Sequence, residues 1–485
     1  MITLQNDSSA RDEKIHNPSV AGSFYPADSS TLSQTVIKLL DQAKPPKIDG
    51  DLIGLVSPHA GYVYSGHVAA SGYDLLKNKT INRVVIISPS HIVAFDGSSV
   101  YNGSGYGTPL GTIPVDQEFC KQLAAQHSSI FLSDEGHDTI QQGRMEHALE
   151  VQLPFLQRVL KDFTLVPIIM GDQQYETCRE LGIALSKLIN DNKTIIVASS
   201  DLSHFHPYND AIKLDEKVLT AVREWDYFNL SRNLNHRVWE ACGGGPIVAT
   251  MIAAERLGAN QSRVIKYANS GDVPPGEKNS VVGYMSAIFF KTKSTSQQDD
   301  FDFKLTKDEQ KHLMDIAKNS VRSAVESGQV YDCNSGGYPS LEQDRGAFVT
   351  LNEHGQLRGC IGYVSANQPL FETIRGAAIS AALKDPRFPA VTKNELDQLT
   401  FEISVLSPFH AISNTEQIEV GKHGLLIRKD SNEGLLLPQV ATDNHWDRLT
   451  FLEQTCRKAG LPSDAWKDGG TDIFVFSAFV FGEND

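Results

Sequence analysis

Through the first 290 residues, short β-branched runs alternate with longer stretches whose apolar residues recur at helical spacing. The runs at 52–57, 83–88, 163–171 and 194–200 are apolar almost throughout, which predicts strands covered on both faces. Between them, the stretches 30–42, 145–160, 176–190, 210–224 and 246–257 predict helices. Strands and helices in alternation point to an α/β sandwich around a largely parallel sheet. Beyond residue 305 the order changes, with helices predicted at 306–327, 369–383 and 447–459 and strands at 346–351 and 401–406. That pattern reads as a smaller α+β domain.

The two regions are separated by KTKSTSQQDDFDFKLTKDEQK at 291–311, polar and charged almost throughout. Such composition predicts a linker, placed at 291–304, between domains of ordinary size at 15–290 and 305–485. Residues 1–14 are polar with no basic start and apolar core, so they read as a flexible tail and not as a signal peptide. The most apolar stretches, at 281–290 and 84–88, fall far short of the roughly 20 residues needed to cross a bilayer. No membrane association and a cytoplasmic location are expected.

Charge and cysteine content narrow the choice of chemistry. With 44 Lys and Arg against 59 Asp and Glu, the 485-residue chain carries a formal net charge of −15, which disfavours nonspecific nucleic-acid binding. Its six cysteines, at 120, 178, 242, 333, 360 and 456, are too far apart for a CxxC zinc knuckle or an iron–sulfur triplet. Cysteine usage this sparse reads as reduced thiols.

Candidate chemistry gathers where the predicted strands end. SPHAGYVYSGH follows the first, SPSH the second and SSDLSHFH the fourth, supplying His59, His91, Asp201 and His204. A parallel sheet delivers such residues to its carboxyl edge, where open α/β sheets bind ligands. Singly, each histidine also reads as a hydrogen-bonded loop residue; jointly they suggest a metal site. Pro58 and Pro89 restrict the backbone ahead of two of them, although ordinary turns use prolines in the same way. Cys242, in ACGGGPIVATMIAAERLG, precedes a predicted helix, where unpaired N–H groups would lower the thiol pKa; a buried structural cysteine is the alternative. EHALEVQLP places Glu146 and Glu150 four apart, on one face of a helix, with His147 between them; it is not the HExxH of zincins.

Taken together, PHAGYVYSGH, SPSH, EHALEVQLPFL, SSDLSH, CGGGPI and YANSGD resemble the Memo family across about residues 15–290. Memo-like proteins are similar in fold to class III extradiol dioxygenases, so the resemblance implies a dioxygenase-like α/β sandwich with metal ligands His59, His91 and Cys242. His204, Asp201, His147 and Glu146 are the expected catalytic group beside it, and Tyr62, in the first motif, is expected to bind substrate. The dioxygenases hold iron with two histidines and a carboxylate. A cysteine in the third position admits iron(II), the favoured ion, and also copper or zinc.

GAFVTL at 346, LRGCIGY at 357, DPRFP at 385, GLLLPQVA at 434 and the stretch 446–466 resemble the AMMECR family over about 305–485. In LRGCIGY, Arg358 and Cys360 are expected to bind substrate, with a structural strand and salt bridge as the alternative. Asp385 and Arg387 of DPRFP read as a turn carrying a surface ion pair. The pairing of the two families looks like the AmmeMemoRadiSam system, which implies a radical-SAM protein as partner. The chain is therefore expected to be a metal-binding redox protein acting on a small molecule or peptide. Two other readings remain: a metal-free hydrolase with Cys242 as nucleophile, His59 or His91 as base and Asp201 as orienter, and a non-catalytic binding protein.

Overall fold

The computed structural model describes residues 14–292 except 275, and 303–483 except 365–367, 413, 430–431 and 469. The expected tail and linker lie largely outside the described residues. The chain divides into two compact units, Met1–Lys293 and Ser294–Asp485.

In the first unit the four apolar runs form the centre of a nine-stranded mixed sheet. Asp51–Ser57, Thr194–Ser199, Arg83–Pro89 and Thr164–Met170 lie side by side and parallel. Their side chains are buried toward both faces, which is why β-branched residues follow one another without polar interruption. Both margins of the sheet turn antiparallel, so the expectation of a largely parallel sheet holds only for its centre. Val281–Lys291 pairs antiparallel with Asp51–Ser57 and carries Gln261–Asn269 and Asp201–His206, while Ser98–Tyr101 runs against Thr164–Met170.

Two helices depart from the expected pattern. Helix Tyr62–Tyr73 buries nine of its twelve residues, many of them small, so it lacks the amphipathic period that reveals a surface helix. The helix expected over 145–160 starts late, as a short 3₁₀ turn at Glu150–Gln152 followed by Leu153–Val159. Ahead of it the Glu146 carboxylate accepts the N–H groups of His147 and Ala148, and Pro154 then suits the first helical turn. Glu146 and Glu150 consequently do not share a helical face. Glu150 turns instead to the amino-terminal segment, accepting the Ser19 and Val20 N–H groups and the Tyr25 hydroxyl.

Helices Tyr175–Leu188 and Gly244–Arg256 pack closely, and Gly182 lets them: a Cβ there would stand 2.9 Å from the Ala249 carbonyl oxygen. The second unit holds two four-stranded antiparallel sheets. One is covered by helices Lys307–Ser327 and Leu370–Leu383 over a core that includes Leu313, Val349, Ile374 and Ile403. The other packs against Arg448–Lys458 through Phe451, Leu452, Leu425 and Val475. Helix Lys307–Ser327 starts at a reciprocal cap between Thr306 and Glu309 and stops at Gly328, whose φ of 70° is natural only for glycine.

A buried polar cluster makes the first unit sensitive to acid. His137 donates from Nε2 to the Ser99 carbonyl at 3.1 Å, and its Nδ1 lies 2.5 Å from the Tyr106 hydroxyl. Burial pushes its pKa down from 6.5 to about 3. Between those values the unfolded chain binds a proton that the folded chain refuses, so stability is whole above about pH 6.5 and falls as the pH drops toward 3. Urea unfolding should show a loss approaching about 1.4 kcal/mol per pH unit in that window. His137→Gln should flatten that part of the profile; the same slope in the variant would assign it to other groups.

Candidate metal centre

The parallel register sets the centre's position. Ser57 lies beside Ser199 and Ile87 beside Ala198, so the segments leaving these strands emerge together. His59 and His91 lie two residues beyond the ends of their strands. Asp201 opens the next strand, separated from Ser199 by one residue, and Cys242 immediately precedes Gly243, the N-cap of helix Gly244–Arg256. The ligand atoms of His59, His91 and Cys242 all fall within 4.8 Å of one another.

Hydrogen bonds decide which ring nitrogens face inward. The Ser199 hydroxyl donates to the Ala148 carbonyl at 2.6 Å and accepts from Gln152 Nε2 at 2.8 Å, so its 2.9 Å contact with His59 Nδ1 must be donated by the histidine. His59 Nε2 therefore carries the lone pair, 3.2 Å from Cys242 Sγ. His91 is set in the same way, with Nδ1 3.0 Å from Glu146 Oε1 and its own backbone N–H on the other carboxylate oxygen. Although burial opposes ionisation, the bonds from His91 hold Glu146 down at about 2, so this carboxylate is an acceptor that orients and not an acid that donates. Fixing the outward nitrogen of a histidine is how metal sites aim the inward one.

The donor set fits a metal ion. Nitrogen and sulfur ligands around a tetrahedral ion stand about 3.5 Å apart, close to the His59–Cys242 separation of 3.2 Å. Without an ion, burial works against charge on His91, yet hydrogen bonds to Cys242 and Glu146 raise it to about 10. His59 is pushed down, first by burial and then by its histidine neighbours. For Cys242 the helix-terminus expectation is corrected: burial outweighs the bond to His91 and raises the thiol above its ordinary value. The Asp201 N–H, 3.2 Å from Sγ, is a main-chain donor to the sulfur.

Asp201 and His204 stand beside this set. Asp201 accepts the His59 N–H at 2.8 Å and reaches within 3.9 Å of His59 Nε2, and burial pushes its carboxyl up to about 7. His204 donates from Nδ1 to the Leu202 carbonyl, which leaves the Nε2 lone pair free; burial lowers its pKa. The His147 ring stacks on His91 with centroids 5.0 Å apart, meets His59 edge-on at 5.5 Å and contacts Phe24. His91, Glu146 and His147 form a second possible donor set that shares His91.

Three expected substrate residues are placed differently. Tyr62 is buried, its hydroxyl donated to the Val151 carbonyl. Arg358 and Cys360 belong to the second unit, where Arg358 pairs with Glu395 at 2.7 Å and bonds the Pro389 carbonyl. DPRFP is the expected turn and ion pair, with exposed Arg387 bonded to Asp385 at 2.7 Å; in addition, buried Asp385 accepts the Cys360 N–H and Arg387 binds the Cys360 carbonyl. Sequence reasoning overlooked Ser199, Gln152 and Gln173. Ser199 lies in SSDLSH and Gln152 in EHALEVQLP, although neither motif reveals which groups these side chains bind; Gln173 carries no signal, because only the fold brings it to its partners.

A family model described as Memo-like protein matches residues 16–288. The chain belongs to the Memo-like family. A second model, AMMECR1, matches residues 314–481. Among relatives of the Memo-like domain, a MEMO1 family protein of Methanobrevibacter smithii is 37% identical over 287 residues, 57% of this chain and 99% of that protein. A MEMO1 family protein of Methanocaldococcus jannaschii is 36% identical over 294 residues, again 57% and 99%. A solved structure of an uncharacterized protein from Pyrococcus horikoshii is 38% identical, covering 37% of this chain and 94% of that chain with a TM-score of 0.36.

Cys242 of the Memo-like domain depends on its neighbour for position. A Cβ on Gly243 would stand 2.1 Å from the Ser199 carbonyl oxygen and 2.8 Å from Ser200 Cβ, neither of which can yield cheaply. Gly243→Ala should therefore displace the turn, cost about 1–3 kcal/mol and speed alkylation of Cys242 by iodoacetamide in chelator roughly tenfold. Peptide mapping by mass spectrometry reads the rate; a rate and stability equal to wild type would mean the turn tolerates the side chain.

Proposed function

We propose that the Memo-like domain holds one metal ion, iron(II) in preference to copper or zinc, on His59, His91 and Cys242 and performs dioxygenase-like redox chemistry on a small molecule or peptide. The observation that carries this reading is the convergence of the three ligand atoms within 4.8 Å, with Nδ1 of both histidines already bonded to other side chains. When bound, such an ion supplies open positions at which substrate or dioxygen is polarised or activated.

The protein's own groups divide the remaining work. His204 offers an Nε2 lone pair to accept a proton, and Asp201 orients His59 through its backbone N–H. Glu146 is a positioning residue that fixes His91, and His147 is the alternative proton carrier beside it. The Memo-like and AMMECR1 matches in one chain support membership of an AmmeMemoRadiSam system with a radical-SAM partner. Six free cysteines support a reducing compartment, the cytoplasm, and among the described residues no helix is long and apolar enough to cross a membrane.

Elemental analysis of protein purified without oxygen tests the site. About one metal ion per chain is expected, lost in His59→Ala, His91→Ala and Cys242→Ala. Glu146→Gln should keep the site but weaken it roughly 10–100-fold in a metal titration. No binding of any added ion by the wild-type chain would overturn the proposal. The 3.2 Å contact between Cys242 and His59 favours one other reading, a metal-free thiol nucleophile. Turnover that survives chelation and is abolished by alkylating Cys242 would select it.

A further inference from the structure

Beside the turn that carries Cys242, between Ala241 and Gly244, lies a cavity of about 160 Å³. Ser231 and Asn235 on helix Tyr227–Asn235, Gln173, and Gly244 and Gly245 at the start of the 13-residue helix Gly244–Arg256 line it. Ser231 is only 3% exposed, and its hydroxyl has no hydrogen-bond partner. A buried hydroxyl left unpaired costs about 1–3 kcal/mol, so the group is expected to meet something that enters the cavity.

The polar wall is biased toward donors. Gln173 gives one N–H to the Cys242 carbonyl at 2.8 Å and keeps a second, while its Oε1 is taken by the Gly245 N–H. Asn235 likewise uses one N–H, on Gln174 at 3.3 Å. The Gly244 N–H makes only a long 3.3 Å bond to the Ala241 carbonyl, and no acidic or basic side chain lines the space. The cavity opens against a helix N-terminus, the positive end of its dipole. Side chains there would crowd the wall, since a Cβ on Gly244 would stand 2.3 Å from the tip of the Leu234 side chain and one on Gly245 2.8 Å from the Gln173 side chain.

The geometry points to a binding site for a small oxyanion, a phosphate or the carboxylate of a small acid, held by the Ser231 hydroxyl, the spare N–H groups of Gln173 and Asn235, and the Gly244 N–H. At a net charge of −15 the attraction is local, supplied by these donors and the helix end and not by the protein as a whole. Because Gln173 also holds the Cys242 carbonyl, an anion that recruits its amide acts on the turn carrying the candidate metal ligand. The site does not depend on the metal reading.

Thermal unfolding of the full chain as purified tests it, in inorganic phosphate, acetate or chloride at matched ionic strength, for wild type, Ser231→Ala, Ser231→Thr and Asn235→Ala. Phosphate or acetate should raise the wild-type Tm by about 2 °C above chloride, with the increment lost in Ser231→Ala, reduced in Asn235→Ala and kept in Ser231→Thr. The difference between proteins is the readout, because phosphate strengthens burial in any protein. A rise with phosphate alone identifies a tetrahedral ligand, and a rise with acetate alone a carboxylate. No increment with either anion, or equal increments in wild type, Ser231→Ala and Asn235→Ala, overturns the proposal and leaves the hydroxyl to water.

Discussion

Ser57 and Ser199 stand side by side in parallel register, and the rest of the candidate centre is placed from that pairing. The level ends of neighbouring parallel strands let residues more than a hundred positions apart arrive at one point without long excursions of the chain. From Ser57 the chain needs only Pro58 to reach His59; from Ser199 it needs only Ser200 to reach Asp201, whose carboxylate then closes on the His59 N–H. Helix Gly244–Arg256 adds Cys242 because Gly243, its N-cap, lets the turn approach the Ser199 carbonyl, which a Cβ would meet at 2.1 Å. The sheet supplies the alignment and Gly243 supplies the proximity.

The parts of this arrangement that can be read from sequence are those that repeat a local rule. Buried parallel strands announce themselves as unbroken β-branched runs, and polar residues just beyond them mark an edge where ligands bind. What stayed hidden depends on partners distant in sequence. The Tyr62–Tyr73 helix is buried nearly all round, so the periodicity that finds surface helices was absent. The Glu146 carboxylate is drawn into bonds with nearby N–H groups, which undoes a helix that apolar spacing alone would extend. A thiol before a helix was expected to be acidified by the dipole, yet burial dominates once the chain is folded around it. No single-sequence pattern carries that competition.

In the second unit, the edge strand Gln356–Tyr363 shows how two motifs acquire meaning from each other. Asp385 takes the N–H of Cys360 and Arg387 takes its carbonyl, so two side chains of one turn bond to the strand as a neighbouring strand would. An unpaired edge invites other chains to add to it. LRGCIGY and DPRFP can therefore be understood first as an edge and its cover, which is a sufficient physical reason for both. Any ligand role for Cys360 has to coexist with that duty.

The Ser199 hydroxyl serves three partners at once: it donates to the Ala148 carbonyl and accepts from Gln152 and His59. A group shared in this way couples residues that never touch, since altering one changes what the hydroxyl offers the others. Substitutions at Ser199, Gln152 and His59 are then non-additive, and a second change at the junction costs less than the first. A chain that lost one of the three would hold the other two less firmly, so the junction works as a single block.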